Sequence, residues 1–333
     1  MGDGVRWYPR LQPFPFTHLP ARNRRPTIPH PPSPVPFPML GRISIVTLTT
    51  PDLPAAAAAY QRYLGYRVLD DRALGHEVAR AWGRMPMAGN RCLLMEPASG
   101  AESYLRFVQG PAYLDYEPLA CIGWNAAELI VQDVDALAAS LVGSPFRVIG
   151  APADLSFSDQ IRAMQVVGPA REVLYLTQIK ERLAAFDTPE AASAVDRVFI
   201  VILGGTNLDA LQEYYHLQFG VARAPVMPSV VSVLSARYGL PRDYRHPIAA
   251  LQVLGQCYIE ADEMPPAVAP RPCAPGQLPP GIAMVSFEVE RLPDVLPCAL
   301  GPAQTVPGLP YGGRRSRTCV GAAGELIELI EAG

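Results

Sequence analysis

The sequence predicts an α+β protein built from four βαβββ units that pair into two domains, and an internal repeat is the main reason. The segment from Ile43 to Tyr66 aligns without a gap with the segment from Val198 to Val221. Each copy contains a β-branched strand, an Asp or Asn that can cap a helix, an amphipathic helix and a terminating glycine. The aligned positions that carry this pattern are Asp52 and Asn207, Leu53 and Leu208, Tyr60 and Tyr215, and Gly65 and Gly220.

Two weaker copies follow the strong ones, starting at Ala126 and at Met284. Their helix-start positions, Asp133 and Arg291, lie 81 and 84 residues after those of the preceding strong copies. Self-similarity at a nearly fixed spacing is the signature of repeated structural units. The chain is therefore expected to contain four units arranged as two pairs.

Alternating apolar stretches follow each predicted helix and are long enough for about three strands, as in RCLLMEP and SYLRFVQG of the first unit. A polar linker of small residues, DTPEAASAV, separates the second unit from the third. We predict a first domain over residues 41–182 and a second, more divergent domain over residues 193–333. The two halves should superpose as copies.

The first 40 residues form a Pro-rich arm that holds 11 of the 37 prolines and five arginines against one acid. Proline excludes helix and central strand, so we expect this arm to be disordered. Either it binds a partner, or it extends the reading frame upstream of a natural start at Met39. Removal of residues 1–38 should leave stability and ligand binding unchanged.

Composition and motifs exclude several classes of function. With 28 basic and 31 acidic residues the net charge is −3, which gives no driving force for binding nucleic acid or an anionic membrane. Apolar runs fall far short of the ~20 residues that cross a bilayer. The six cysteines form no CxxC pair, and GxGxxG, Walker A, HExxH and GxSxG motifs are absent. No secretory signal opens the chain, so we expect a cytoplasmic protein.

Paired βαβββ units with the pattern strand, Asp-Leu, helix ending in Tyr, and Leu-Gly resemble the vicinal oxygen chelate superfamily. This group includes glyoxalase I, extradiol dioxygenases and fosfomycin and bleomycin resistance proteins. The resemblance covers residues 41–333 and is most specific in ISIVTLTTPDL and YQRYLGY of the first unit. Four units in one chain resemble the layout of extradiol dioxygenases, although a shared fold does not fix the reaction.

The resemblance implies a cup in each pair of units, where His or Gln of the first strands and Glu of the last strands hold a metal. The first-strand positions, seven residues before the helix cap, fall on Ile45, Ala126, Ile200 and Met284, none of which binds a divalent ion. The last-strand positions fall on Arg106, Tyr175, Glu260 and Glu328. We expect no tightly bound metal or other cofactor, with a weakly held Mg²⁺ or Mn²⁺ at Glu260 and Glu328 as the alternative.

Three residues are the candidates for acid–base catalysis in the second cup. If Glu260 and Glu328 face each other, their like charges would raise one pKa and fit a carboxyl for proton transfer. His246, which precedes a strand of the third unit, is the best-placed histidine. The alternative is that both carboxyls lie at strand ends open to water.

Six residues are the candidates for substrate binding: Arg106, Tyr175, Glu128, Tyr104, Trp82 and Trp124. Arg106 lies in an apolar strand on the same face as Tyr104, so its charge needs an anion. That anion is either a ligand, held with the help of Tyr175, or Glu128 in an internal ion pair. The two tryptophans either wall a pocket for a flat ligand or belong to the core.

These observations favour an enzyme-like protein that acts on a small aromatic or oxygenated hydrophobic metabolite without a tightly bound metal. Isomerisation, lyase chemistry or proton transfer beside a carbonyl would suit the candidate residues. One alternative is a binding protein without turnover, similar to bleomycin resistance proteins. Another is a metal-dependent dioxygenase or lyase. The expected partners are a small-molecule ligand and, as an option, a second copy of the chain.

Overall fold

The computed structural model describes residues 38–183 and 186–333, and it contains two eight-stranded sheets within these residues. The predicted disordered state of the N-terminal arm falls almost wholly outside the described part. Each of the four repeat units contributes four strands to one of the two sheets, as the repeat predicts.

The first sheet joins the first and the fourth units. Its strands are β1 (Ile43–Thr50), β2 (Arg67–Ala73), β3 (Arg91–Glu96), β4 (Tyr104–Gln109), β13 (Gly281–Val289), β14 (Gln304–Thr305), β15 (Arg315–Val320) and β16 (Leu326–Glu331). They run in the order β14-β15-β16-β13-β1-β4-β3-β2. β1 and β13 meet antiparallel in the middle, and each pairs parallel with the last strand of its own unit.

The second sheet joins the second and the third units. Its strands are β5 (Gly123–Val131), β6 (Arg147–Leu155), β7 (Ser158–Val167), β8 (Val173–Ile179), β9 (Val195–Gly205), β10 (Met227–Val230), β11 (Arg245–Val253) and β12 (Cys257–Glu263). They run in the order β10-β11-β12-β9-β5-β8-β7-β6. The antiparallel pair at the centre is β5 and β9.

This strand order contradicts the predicted pairing of units. Residues 41–182 and 193–333 each supply one unit to each sheet, so neither half forms a cup by itself. The prediction assumed that units adjacent in sequence share a sheet, which is the commoner arrangement. The sequence repeat shows which units are alike, but the pairing of β1 with β13 and of β5 with β9 decides which units share a sheet.

Five α-helices accompany the sheets within the described residues: α1 (Leu53–Leu64), α2 (His76–Ala81), α3 (Val134–Ser140), α4 (Leu208–Phe219) and α5 (Ser232–Arg237). Asp52 accepts a hydrogen bond from the Ala55 amide at 3.0 Å, and Asn207 caps α4 in the same way. Gly65 and Gly220 end α1 and α4 with φ values of 70° and 65°, a region that favours glycine. No helix in residues 38–183 and 186–333 has the length and apolar character to span a membrane.

The two strong copies of the repeat play matching structural roles. The Tyr60 hydroxyl donates a hydrogen bond of 2.5 Å to Glu172 of the second unit, and the Tyr215 hydroxyl donates one of 2.9 Å to Glu325 of the fourth. Both tyrosines are fully buried in the apolar core that joins the two sheets. In each half of the sequence, a tyrosine on the first unit's helix is therefore hydrogen-bonded to a glutamate beside the last strand of the second unit. Each sheet, in contrast, joins units from different halves.

The fourth unit departs from the predicted βαβββ pattern. The segment after Arg291, expected to be helical, contains turns and bends instead. Pro293 and Pro297 lie within it, and proline inside a helix removes a hydrogen bond and clashes with the preceding turn. The short helices α2 and α5 and a 3₁₀ helix at Met85–Met87 were not expected from the sequence.

Candidate functional site

Each sheet presents four equivalent positions on the face that lies away from the shared core. In what we call the β1–β13 cup, Thr47 pairs with Arg106 and Ser286 pairs with Glu328. In the β5–β9 cup, the same four positions are occupied by other residues: Glu128 pairs with Tyr175, and Ile202 pairs with Glu260.

These pairs correct the predicted register of the first strands. The residues beside the last-strand positions lie two places beyond the predicted Ile45, Ala126, Ile200 and Met284. A shift of two residues keeps the same face of a strand, so the predicted face was right and the depth was wrong. Glu128 consequently occupies a first-strand position of the cup, which the sequence alignment assigned to Ala126.

A buried ion pair fills the β1–β13 cup. Arg106 and Glu328 are 3% and 0% exposed, and their side chains meet at 2.9 Å. Both carboxylate oxygens accept further hydrogen bonds of 2.5–2.9 Å from neutral donors: Trp82, Ser286, Tyr311 and Ser316. Burial alone would raise the pKa of Glu328, but Arg106 and these donors hold it below its ordinary value.

Arg106 is equally well supplied with partners. Its guanidinium donates to the Thr47 hydroxyl at 2.8 Å and to the Tyr311 hydroxyl at 2.5 Å, and it lies 4.5 Å from the centre of the Trp82 ring. The charge of Arg106 is thus balanced inside the cup. Two predicted arrangements were wrong, because Arg106 meets neither Tyr175 nor Glu128, which belong to the other sheet.

The β5–β9 cup is open and contains a cavity of about 350 Å³. Glu128, Tyr175 and Glu260 line it, each from a different strand. The remaining lining is mainly apolar and aromatic, and includes Phe157, Ile161, Phe186, Phe199, Val233, Ile248 and Tyr258. A mostly apolar cavity with a few convergent polar groups is typical of a small-molecule site.

The carboxyl groups of this cup have raised pKa values. Burial raises the pKa of Glu128 to about 7, and the nearby Thr177 hydroxyl opposes this rise without reaching hydrogen-bond geometry. Burial also raises the pKa of Glu260 well above its ordinary value, and the charges of Asp262 and Glu128 raise it further. Asp262 lies two residues beyond Glu260 on the same strand face, and burial raises its pKa too. These groups compete for protons, so they titrate as a coupled set.

The predicted catalytic trio is not assembled. Glu328 lies in the first sheet, so it cannot face Glu260 across one cup. His246 is on β11 of the second sheet, but its ring is buried against Tyr244 and its Nε2 lies 3.0 Å from the Ser235 hydroxyl. Burial lowers the pKa of His246. Glu260 therefore has Glu128, and not Glu328, as its carboxyl partner.

The tryptophans and Tyr104 lie outside the open cavity. Trp124 packs near Phe287 in the core between the sheets and donates to the Leu326 carbonyl at 2.8 Å. Trp82 belongs to the ion-pair network of the β1–β13 cup. Tyr104 is half-buried on β4 beside Ile45.

The donor atoms of neither cup fit a tightly held divalent ion. The guanidinium of Arg106 occupies the β1–β13 cup, and the β5–β9 cup offers two glutamates, a tyrosine and an isoleucine at the four positions. Nowhere in the described part of the chain do three or more His, Cys, Asp or Glu side chains form a metal-binding group. The expectation that no tight metal is bound stays a prediction.

Two sheets of paired βαβββ units, each with a cup around its central antiparallel strands, confirm the fold that the resemblance to the vicinal oxygen chelate superfamily predicts, and solved glyoxalase and dioxygenase structures share this fold. A point mutant of glyoxalase I from Zea mays matches with a TM-score of 0.60 and 14% identity, covering 87% of this chain and 92% of that one. Glyoxalase I from Zea mays matches with a TM-score of 0.57 and 15% identity, over 87% and 92% of the chains.

A third similar structure is a putative dioxygenase from Bacillus subtilis, with a TM-score of 0.56 and 10% identity over 88% of this chain and 86% of that one. At these identities the likeness defines the fold alone. No protein-family model matches the sequence, and no curated protein matches it either.

Proposed function

We propose that the β5–β9 cup binds a small, largely apolar molecule and that Glu128 and Glu260 exchange protons with it. The observation that carries this proposal is a pair of carboxyl groups with raised pKa values at a cavity of about 350 Å³. Raised carboxyl pKa values in an apolar cavity are typical of acid–base sites. An aromatic or oxygenated hydrophobic metabolite suits the lining.

The two carboxyls can divide the acid and base roles. Because a charge on one raises the pKa of the other, removal of the first proton makes removal of the second harder. Near neutral pH the pair then holds one proton donor and one proton acceptor. Such a pair could move a proton between two positions of a bound molecule, as in isomerisation or elimination. Tyr175, whose pKa burial raises, would stay protonated and donate a hydrogen bond.

Binding without turnover is the second candidate function, and one feature favours it. No arginine, lysine or histidine is among the described residues that line the cavity. An enolate formed beside a carbonyl would therefore find no cation to stabilise it, and such stabilisation is usually the largest part of catalysis. A protein that sequesters its ligand needs no such group.

Deuterium exchange separates the two functions. The purified protein is incubated in D₂O with small aromatic ketones such as phenylacetone, and incorporation at the carbon beside the carbonyl is followed by mass spectrometry. Proton transfer by the cup predicts incorporation that Glu260→Gln and Glu128→Gln abolish and the exposed control Glu117→Gln retains. Saturable binding of the ketones without incorporation would support the binding function, and absence of both would contradict the proposed site for this class of molecule.

A further inference from the structure

The β5–β9 cup contains buried and half-buried acids without a matching cation among the described lining residues. Glu128 is 9% exposed and lines the cavity; it forms no salt bridge with the described residues, and the nearby Thr177 hydroxyl does not reach hydrogen-bond geometry. Glu260 lines the same cavity and is opposed by the negative charges of Asp262 and Glu128. The Oδ1 atom of Asp262 is buried and has no hydrogen-bond partner within residues 38–183 and 186–333.

Two buried acids outside this cup have partners on both carboxylate oxygens, whereas Glu172 has a partner on one oxygen only. Glu328 receives an arginine and several hydroxyl and indole donors, and Glu325 accepts hydrogen bonds from the Tyr215 hydroxyl and the Ala323 amide. Buried carboxylates are costly unless they are paired in this way. Glu128 and Glu260 instead face the cavity, so the missing partner would be a molecule that enters it.

The cavity walls also suit a positive charge. Aromatic rings of Phe157, Tyr175, Phe186, Phe199 and Tyr258 line it. The face of an aromatic ring attracts a cation, and the attraction is stronger where water is excluded. The same rings would hold an apolar body by burial of surface. The lining could thus hold both the charged group and the apolar body of an organic cation.

We propose that the ligand of the β5–β9 cup is an apolar molecule that carries a protonated amine, with the ammonium group placed between Glu128 and Glu260. This inference rests on the binding function proposed above and adds the chemical class of the ligand. The ammonium supplies the missing charge and three hydrogen-bond donors, and the carboxyls ionise as it binds. Ionisation releases a proton to solvent, since the amine enters already protonated.

Proton release makes the affinity depend on pH. The groups around the two glutamates are Tyr175 on β8, Asp262 and Tyr258 on β12, and Asp154 on β6. Burial raises the pKa of both tyrosines, so they stay neutral, whereas Lys180 and Arg162 keep Asp154 ionised by lowering its pKa. For a carboxyl with a pKa of about 7, amine affinity should rise about tenfold from pH 6 to pH 8.

The test uses three probes with one apolar body: 4-phenylbutylamine, 4-phenylbutan-1-ol and 4-phenylbutyrate. Titration calorimetry on the full chain, in two buffers of different ionisation enthalpy, measures the affinity and the protons released. The amine should bind at least tenfold more tightly than the alcohol at pH 8 and release a proton at pH 6.5. The carboxylate should bind more weakly than the alcohol.

Variants locate the effect. Glu260→Gln and Glu128→Gln should each remove most of the preference for the amine while the alcohol keeps its affinity, which also shows that the variants are folded. The exposed control Glu117→Gln, which changes net charge by the same amount, should keep the preference. Equal binding of amine and alcohol, or amine binding without proton release, would overturn the cation proposal and leave the proposed binding function intact. If none of the three probes binds, both proposals are contradicted.

Discussion

The two cups have the same backbone plan and opposite electrostatics. Arg106 in the β1–β13 cup stands on the last strand of its unit, at the position that Glu260 occupies in the β5–β9 cup. The arginine gives the first cup a cation that Glu328 neutralises, and the surrounding hydroxyls complete the network. The second cup has two glutamates and no cation among its described lining residues, and it is open.

This difference shows that the residues at the four equivalent positions decide whether a cup is filled by its own side chains or left open. Where the chain supplies both charges, the polar groups satisfy each other and leave little for a ligand to bind. Where the chain supplies charges of one sign only, folding buries those charges without a partner of the opposite sign. The sharpest way to test the comparison is to change one acid or base of each cup and measure stability.

The largest effect is expected from Arg106→Ala. The change leaves Glu328 buried without its cation, so the free energy of unfolding should fall by ~3–5 kcal/mol. Urea denaturation measures it, and Arg91→Ala on the same sheet, whose pair with Asp71 is open to water, should leave the free energy of unfolding almost unchanged. The expectation that Arg106 binds an anionic ligand stays a prediction, although its guanidinium is already paired with Glu328. If Arg106→Ala lowers the free energy of unfolding by less than ~1 kcal/mol, the buried ion pair does not stabilise the β1–β13 cup as we expect.

Glu128→Gln should act in the opposite direction. The folded pKa of Glu128, about 7, exceeds its ordinary value of 4.5, so its stabilising contribution is present below pH 4.5 and is lost as pH rises towards 7. At pH 8 the ionised group costs roughly 3 kcal/mol, which glutamine removes. The variant should therefore be more stable than the wild type at pH 8 and equally stable at pH 4.5. A variant that is less stable at pH 8 would show that a hidden partner satisfies Glu128.

Much of the architecture could be predicted from the sequence, because strands, caps and terminating glycines are local features. The Asp and Asn caps, the αL glycines and the α+β units follow from residue types at fixed spacings. The pairing of units could not be predicted, since it depends on contacts between β1 and β13 and between β5 and β9, far apart in sequence. The helix missing from the fourth unit could have been anticipated from Pro293 and Pro297.

The candidate site was predicted only in part, for the same reason. The sequence identifies Glu260, Tyr175 and Glu128 as candidates, but it places Glu260 in a different cup from the other two because the wrong units are paired. Glu328 and Arg106 were likewise separated, although they form one ion pair. A signal was present in the spacing: Glu128 lies on the predicted ligand face, two residues beyond Ala126. Residue types identified the chemistry, and long-range topology decided which groups meet.

Tyr60→Phe and Tyr215→Phe should lower the free energy of unfolding by smaller and nearly equal amounts. The two changes test whether the equivalent hydrogen bonds of the two repeat copies contribute equally to stability. Each change removes a hydroxyl that donates to a buried glutamate with a pKa of about 7. A lost buried hydrogen bond of this kind costs ~1–2 kcal/mol. The two losses should agree within about 0.5 kcal/mol and add in the double variant. A large difference between the two losses would show that equivalent positions of the repeat do not contribute equally to stability.

The smallest effect is expected from removal of the N-terminal segment, and the structure sharpens where the cut should lie. Pro38 and Leu40 are buried, and the Leu40 carbonyl accepts a hydrogen bond of 3.2 Å from the amide of Leu254, in the turn between β11 and β12 of the second sheet. The next residue, Gly41, donates to the Glu288 carbonyl of the first sheet at 2.6 Å. The segment from Leu40 onward thus touches the sheets of both cups, so we move the cut from residue 38 to residue 37.

A chain that lacks residues 1–37 should keep its thermal midpoint within about 1 °C and its affinity for the cup's ligand, because a Pro-rich segment has little apolar surface to bury. Leu40→Ala in the full chain is the matched control and should cost ~2–3 kcal/mol, because it removes a buried side chain from the shared core. Differential scanning calorimetry measures both. If the truncated chain melts several degrees lower, residues 1–37 contribute to the stability of the fold. If it binds 4-phenylbutylamine with a different affinity, these residues contribute to the β5–β9 cup.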